Sequence, residues 1–330
     1  MAELGWAYDR GYEFMQEPMS AVGKEQEFLA TELPDWLARK ERLFKLKTTD
    51  WLRDFNPVDK SGPDVKLVAM RFERLGTWYR TQYVLSGIGT SPDMTSLSFS
   101  TRNDIPGFLF EIPVYDFHPE NLGRYDFDRY GKPLAQVIAT GWKDEAELVA
   151  RLGFKELNRL LDRGISYGRM AWFMFELAKD WLNADVKIDS EFRKHEIENL
   201  GIWHKLLEGW REPNERSFDA LMSEMADYHL AQSEIVDNIE KEWYEFEEPS
   251  FWLFPVELLA VLRLREWLGA ANPRLTHPIF WVTPLATLNS PPACPKDETF
   301  DGAEARFRKP YPNMPSIADL PSLRAEQSTS

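Results

Sequence analysis

Apolar positions recur at three- and four-residue steps through the second half of the chain. Three segments between Asp144 and Trp210 show this spacing, and the segment from Asp219 to Leu268 shows it in two halves. Such spacing places apolar side chains on one face of a helix. It predicts an α-helical bundle over residues 143–272. The last helix of this bundle, from Pro255 to Leu268, is apolar enough to be buried.

Residues 65–140 show a different pattern, in which apolar and polar positions alternate. The segments VKLVAMRFERL, TWYRTQYVL, TSLSFSTR and FLFEIPVYDF are rich in β-branched and aromatic residues, and turn-forming residues separate them. A period of two predicts antiparallel strands, and Pro113 confines its strand to an edge or a bulge. KPLAQVIATG is a candidate for a last strand. Helices are expected before this region, from Ser20 to Leu33 and from Pro34 onward.

The C-terminal part is rich in proline. Ten of the 22 prolines lie between Pro273 and Pro321, and proline disrupts the interior of a helix. The sequence therefore predicts an α+β protein in three parts. A β-rich N-terminal part with flanking helices (residues 1–142) precedes the α-helical bundle (residues 143–272), and a Pro-rich C-terminal wrap with a disordered tail follows (residues 273–330).

Charge and composition restrict the class of function. The net charge of −15 argues against direct binding to nucleic acid or to an anionic membrane, because their phosphates would repel the chain. The single cysteine, Cys294, excludes a disulfide within the chain. The N-terminus lacks the basic and apolar regions of a signal peptide, and no apolar run is long enough to span a bilayer. These features predict a cytoplasmic protein.

Candidate catalytic signatures are weak. Gly164 to Gly168 match the G-x-S-x-G pattern of hydrolases, but the preceding residues predict an amphipathic helix where the motif needs a buried strand. None of the five histidines follows a carboxylate at the spacing used in helical di-iron sites. Cys294 has no base near it in the sequence, and a catalytic thiolate needs one. We therefore expect no catalytic residue, no metal and no cofactor.

The stretch from Phe218 to Glu248, hereafter the acidic stretch, has ten acidic residues and one basic residue, a net charge of −9. A solvated helix face usually mixes both signs. The stretch therefore predicts a docking face for a cationic partner, where charge steers association and aromatic side chains act as anchors. The alternative is a solvated acidic surface whose aromatic residues face the core. The predicted partner-binding residues are Asp227, Glu234, Asp237, Glu240, Glu242, Trp243, Tyr244, Glu245, Glu247, Glu248 and Trp252.

The pair Trp243-Tyr244, followed by FWLFPVELLAVLRLREWLG, resembles the C-terminal region of the PoNe-type DNase immunity proteins. In that family a helix ends in a Trp-Tyr pair, and an aromatic loop and an apolar helix follow. Trp252, Glu257 and Ala260 stand near the positions of this second pattern. LLDRGISYGRMAWFMFELAKDW is similar to the family's N-terminal helical region, so the resemblance covers roughly residues 150–285.

The resemblance implies a non-catalytic inhibitor of a basic nuclease toxin, of the kind delivered between competing bacteria by type VI secretion. The sequence thus predicts a cytoplasmic immunity protein that acts by steric block and charge mimicry of nucleic acid. Two other classes stay open. One is a small-molecule enzyme with a site between the β-rich and helical halves. The other is a structural subunit of a larger complex.

Overall fold

A computed structural model describes residues 18–55, 63–89, 91–117, 128–156, 169–186, 200–234 and 244–313 of the chain. Within these ranges the secondary structure is helical, and they contain no β-strand. The helices are α1 (Pro18–Lys40), α2 (Lys47–Asp54), α3 (Pro63–Gly89), α4 (Met94–Phe117), α5 (Asp128–Thr140), α6 (Lys143–Glu156), α7 (Arg169–Leu182), α8 (Ile202–Gly209), α9 (Glu215–Ala231), α10 (Val256–Trp267), α11 (Ile279–Val282) and α12 (Glu298–Arg308). A short π-helix, Glu41–Leu46, joins α1 to α2.

The predicted β-rich region is wrong, and with it the α+β fold class. Residues 65–140, where they are described, form helices α3, α4 and α5. The alternation of Ser and Thr with apolar residues in TSLSFSTR favoured a strand, but it does not mark a solvent-facing side. Ser98, Ser100 and Thr101 are in fact buried. Thr101 satisfies its hydroxyl within the helix by donating to the Leu97 carbonyl oxygen at 3.0 Å.

Helix α4 shows why the helical period was hidden. From Arg102 to Phe110 every residue is buried. A helix that is covered on all sides has no polar face, so its sequence loses the three- and four-residue spacing. Pro113, predicted at a strand edge, lies in this helix near its C-terminal end. Packing therefore overrode the preference of β-branched and aromatic residues for strands.

The Pro-rich wrap is corrected in part. Residues 296–309 contain no proline, and helix α12 forms there. Asp297 caps this helix, because its carboxylate accepts from the backbone N–H of Thr299 at 3.0 Å and of Phe300 at 3.1 Å. Arg306 binds the carbonyl oxygens of Leu52 and Phe55 at the end of α2. The predicted disordered tail, residues 323–330, lies outside the described residues.

Helix α10 confirms the prediction of a buried apolar helix. Every residue from Val256 to Arg265 is buried, and α10 packs on α5, α7 and α9. Helices α5 and α7 also approach closely. A Cβ at Gly131 would lie 2.5 Å from the Cα of Ala171, so glycine permits this contact. The hydrophobic core includes residues from Val22 to Tyr311. The domain boundaries at residues 142 and 272 stay predictions.

No helix in the described ranges combines the length and the apolar character that crossing a membrane requires.

Candidate functional site

The acidic stretch begins in helix α9 and leads into a turn that we call the elbow, residues 244–255, which enters α10. Asp237, Glu240, Glu242 and Trp243, four of the predicted partner-binding residues, lie outside the described residues. The residues before and after this undescribed segment are hydrogen-bonded to each other. The backbone N–H of Phe246 donates to the carbonyl oxygen of Gln232 at 3.1 Å. This hydrogen bond therefore joins the end of α9 to the start of the elbow.

Glu245 fixes the elbow to three neighbouring helices, α7, α8 and α9. Its carboxylate accepts from the Tyr228 hydroxyl at 2.6 Å, from the Trp203 indole N–H at 3.0 Å and from the Met170 backbone N–H at 3.0 Å. Met170 lies in the first turn of α7, where backbone N–H groups lack helical partners and favour a negative charge. Burial, followed by the Glu245 carboxylate, raises the pKa of Tyr228 well above its usual value. The hydroxyl therefore remains a donor.

Glu248 ties the elbow to helix α3. It accepts from the Arg80 guanidinium at 2.6 Å and from the Ser250 hydroxyl at 2.6 Å. Burial alone would raise the pKa of Glu248, but Arg80 and Ser250 together hold this pKa below its usual value. The carboxylate therefore stays ionised beside Arg80. This residue was predicted to face a partner, whereas its Oε1 accepts two hydrogen bonds within the chain.

Arg80 is the centre of a buried polar cluster. It also donates to the Asp104 carboxylate at 2.6 Å, to the Gln136 side-chain oxygen at 3.0 Å and to Ser250 at 2.9 Å. These partners come from α4, α5 and the elbow. Burial raises the pKa of Asp104 to about 7, although the Arg80 charge opposes this rise. Helices α3, α4 and α5 are thus joined to the elbow through one guanidinium group.

A second buried pair joins α9 to α10. His229 and Glu257 are both fully buried, and Nδ1 of His229 lies 2.7 Å from Oε1 of Glu257. Nε2 of His229 faces two carbonyl oxygens, at 3.2 Å from Phe251 and 3.1 Å from Trp252. Carbonyl oxygens only accept, so Nε2 carries a hydrogen. One further proton then lies between Nδ1 and Glu257, and the pair holds it away from water.

The other described members of the predicted set are partly or fully turned toward the protein. Trp252 is 1% exposed, and its indole N–H donates to the Phe246 carbonyl oxygen at 2.7 Å. Glu234 is buried, and Asp227 binds His277 at 3.2 Å. Tyr244 and Glu247 are half-buried, and each interacts with other parts of the chain. Trp252 and Phe246 therefore match the alternative in which the aromatic residues face the core.

Trp281 was missed by the sequence reasoning. Ile279 to Val282 form an apolar run, which favours packing on the protein, and Ile279 and Phe280 are buried. Trp281, between them and Val282, is 56% exposed. Its indole N–H donates to the Thr276 carbonyl oxygen at 3.0 Å, which fixes the ring. The apolar run gave no signal that one of its aromatic residues would face solvent.

The described residues provide no support for the candidate catalytic groups. Residues 164–168 lie outside the described ranges. Burial raises the pKa of the Cys294 thiol to about 11, so the unreactive protonated form dominates at neutral pH. In the described ranges no group of three or more His, Cys, Asp or Glu side chains is placed to hold a metal ion.

An open groove of about 420 Å³ lies at the C-terminal end of α7. Three of its charged residues, Glu176, Lys179 and Asp180, already have partners. Lys179 binds Glu176 at 2.8 Å, and Asp180 accepts from the Trp210 indole N–H at 2.8 Å. The groove residues are Glu176, Lys179, Asp180, Asn183, Ala184 and Asp185.

No family model, curated protein or solved structure matches this chain.

Proposed function

We propose that this chain is an immunity protein that binds and blocks a basic antibacterial toxin, a nuclease, through its acidic stretch. The resemblance of roughly residues 150–285 to PoNe-type DNase immunity proteins suggests this role. The observation that carries the proposal is the hydrogen bond from the Phe246 backbone N–H to the Gln232 carbonyl oxygen. This bond brings together the two ends of the segment that contains Asp237, Glu240 and Glu242. We place the action in the cytoplasm, where a nuclease toxin reaches its substrate.

The hydrogen bond between Phe246 and Gln232 holds the two ends of this acidic segment together before a partner binds. Fixed ends reduce the conformational entropy that is lost on binding. The net charge of −9 in this stretch supplies a field of one sign, which accelerates encounter with a basic surface. Glu245 and Glu248 serve the fixed geometry, because Tyr228 and Arg80 already bind their oxygens. Steering then falls to Asp237, Glu240 and Glu242.

A nuclease suits this surface because it must itself bind a polyanion. Its substrate groove carries Lys and Arg side chains that neutralise phosphates. An acidic segment with fixed ends competes for the same cations and covers the groove. Inhibition of this kind needs no chemistry from the immunity protein. It needs only an affinity high enough to exclude the substrate.

The test begins with capture of host proteins on the purified chain at low salt, elution at high salt and identification by mass spectrometry. The eluted protein is then produced alone and assayed for nuclease activity. We expect the chain to abolish this activity at a one-to-one ratio, and we expect salt to slow the association. A captured protein that has no nuclease activity, or whose activity persists with excess chain, would contradict the proposal.

Charge-neutral variants locate the contact. The triple variant D237N/E240Q/E242Q is expected to slow association with the toxin by about tenfold or more, because electrostatic steering is worth that much. The matched control, E27Q/D35N/E41Q, removes three exposed carboxylates from α1 and the π-helix. It is expected to change the rate by less than about twofold. Equal slowing by both variants would assign the effect to net charge alone.

A further inference from the structure

Trp281 combines exposure with a fixed orientation. The indole is 56% exposed, whereas Ile279 and Phe280 next to it are buried and hold helix α11 on the protein. The hydrogen bond to Thr276 restrains the ring at 3.0 Å. Exposed aromatic rings that are held in place lose little entropy when a partner covers them. Tryptophan is also the residue most enriched among interface hot spots, together with Tyr and Arg.

Two carboxylates of the acidic stretch hold the segment that carries this ring. Asp219 accepts from the backbone N–H and from the hydroxyl of Thr276, both at 2.8 Å. Asp227 binds Nε2 of His277 at 3.2 Å. Thr276 and His277 thus connect helix α9 directly to the segment before Trp281. The ring therefore lies beside the start of the acidic stretch.

Asp219 and Asp227 accept these hydrogen bonds from Thr276 and His277. Thr276 donates to Asp219 as a neutral group. The Nδ1 atom of His277 accepts the Ile279 backbone N–H at 3.2 Å, so Nε2 is the nitrogen that donates to Asp227. In the described part of the chain no Lys or Arg nitrogen lies within 4.0 Å of either carboxylate. Negative charge thus remains beside an exposed indole in a chain of net charge −15.

We propose that the indole face of Trp281 receives an arginine side chain of a cationic partner, and that the negative charges of Asp219 and Asp227 add to the attraction. This inference rests on the proposed function, because the basic toxin supplies the arginine. A guanidinium stacks on an aromatic face and is attracted by the negative charge of the ring. The chain already makes this contact internally, where Arg211 lies 4.5 Å from the ring centre of Trp210.

Fluorine NMR tests the contact without the toxin. The full chain, with its 13 tryptophans replaced by 5-fluorotryptophan, is titrated with a nona-arginine peptide and separately with a nona-glutamate peptide. The W281F variant assigns the Trp281 signal. We expect this signal to move and saturate with nona-arginine and to stay in place with nona-glutamate. A Trp281 signal that does not move while other signals shift with nona-arginine would overturn the inference.

Substitutions then test the energetics with the same peptide. W281L keeps an apolar side chain but removes the aromatic face, and we expect affinity for nona-arginine to fall about 3- to 30-fold. R274A removes an exposed cation two residues before Thr276 and is expected to tighten binding. L268A, at a residue that is 49% exposed, is the control and should leave binding unchanged. Unchanged binding by W281L would overturn the inference.

The toxin separates this inference from the proposed function. If W281L inhibits the toxin with wild-type affinity, the arginine contact is wrong and the immunity function stands. If the chain inhibits no toxin but nona-arginine still titrates Trp281, the immunity function is wrong and the cation site stands. Far-ultraviolet circular dichroism of each variant confirms that the helical fold is intact.

Discussion

Replacing His229 with leucine tests how much stability the buried pair with Glu257 gives to the elbow. His229 makes three polar contacts, one to Glu257 and one each to the carbonyl oxygens of Phe251 and Trp252. Its removal leaves a fully buried carboxyl group without a partner and two carbonyl oxygens without this donor. Removal of one partner from a buried pair costs about 3–5 kcal/mol. We expect H229L to lower the free energy of unfolding by this amount.

Removal of Glu257 should cost less. In E257L a neutral His229 keeps its Nε2 hydrogen and both carbonyl contacts, and only Nδ1 loses a partner. One unsatisfied buried nitrogen costs about 1–3 kcal/mol. E257Q is the matched control, because its amide N–H can donate to Nδ1 in the same volume. We expect E257Q to cost about 0.5–1.5 kcal/mol, the difference between a hydrogen bond that involves a charged group and a neutral one.

The assay is urea unfolding at pH 7, followed by circular dichroism. The predicted order of destabilisation is H229L, then E257L, then E257Q, with similar slopes against urea if each variant unfolds to the same extent. The reasoning is refuted if E257L is as destabilised as H229L. It is also refuted if E257Q costs as much as either leucine variant, since the shared proton would then not matter.

Two further predictions concern stability. Burial raises the pKa of Asp104 from 3.8 to about 7, so the folded state binds this proton more tightly than the unfolded state does. The free energy of unfolding is therefore expected to fall as the pH rises from about 4 to about 7. D104N should remove this decline, and urea unfolding at pH 5 and pH 8 measures it; an equal wild-type-to-variant difference at both pH values would contradict it. G131A should destabilise by about 1–3 kcal/mol, because its Cβ would meet the backbone of Ala171 at 2.5 Å. G23A, where a Cβ meets nothing within 4 Å, is the control and should raise the melting temperature slightly. A G131A melting temperature equal to wild type would contradict the close helix contact.

The part of the fold that could be predicted from sequence is the part with one-sided burial or complete apolarity. Helices α7 and α9 show helical spacing because each keeps some exposed or half-buried polar positions. Helix α10 was recognised because apolar residues dominate it. Helix α4 was missed because Ser100, Arg102 and Asp104 are polar and yet buried. Their hydrogen-bond partners, which make this burial possible, are not visible in the local sequence.

The contacts of the candidate site were also not predictable from the local sequence. Charge density singled out the acidic stretch, but it did not indicate which of its carboxylates bind within the chain. Glu248 and its partner Arg80 are separated by 168 residues in sequence, and His229 and Glu257 by 28 residues. Pairing over such distances depends on tertiary packing. The exposure of Trp281 depends on it equally, because Ile279 and Phe280 take the buried positions.

A titration of the captured toxin's nuclease activity with the purified chain, at low and at high salt, tests the immunity function. We expect complete inhibition at one equivalent, with an association rate that falls as salt increases. Full nuclease activity in the presence of excess chain at low salt would contradict the immunity function. An association rate that does not depend on salt would contradict the role of the acidic stretch.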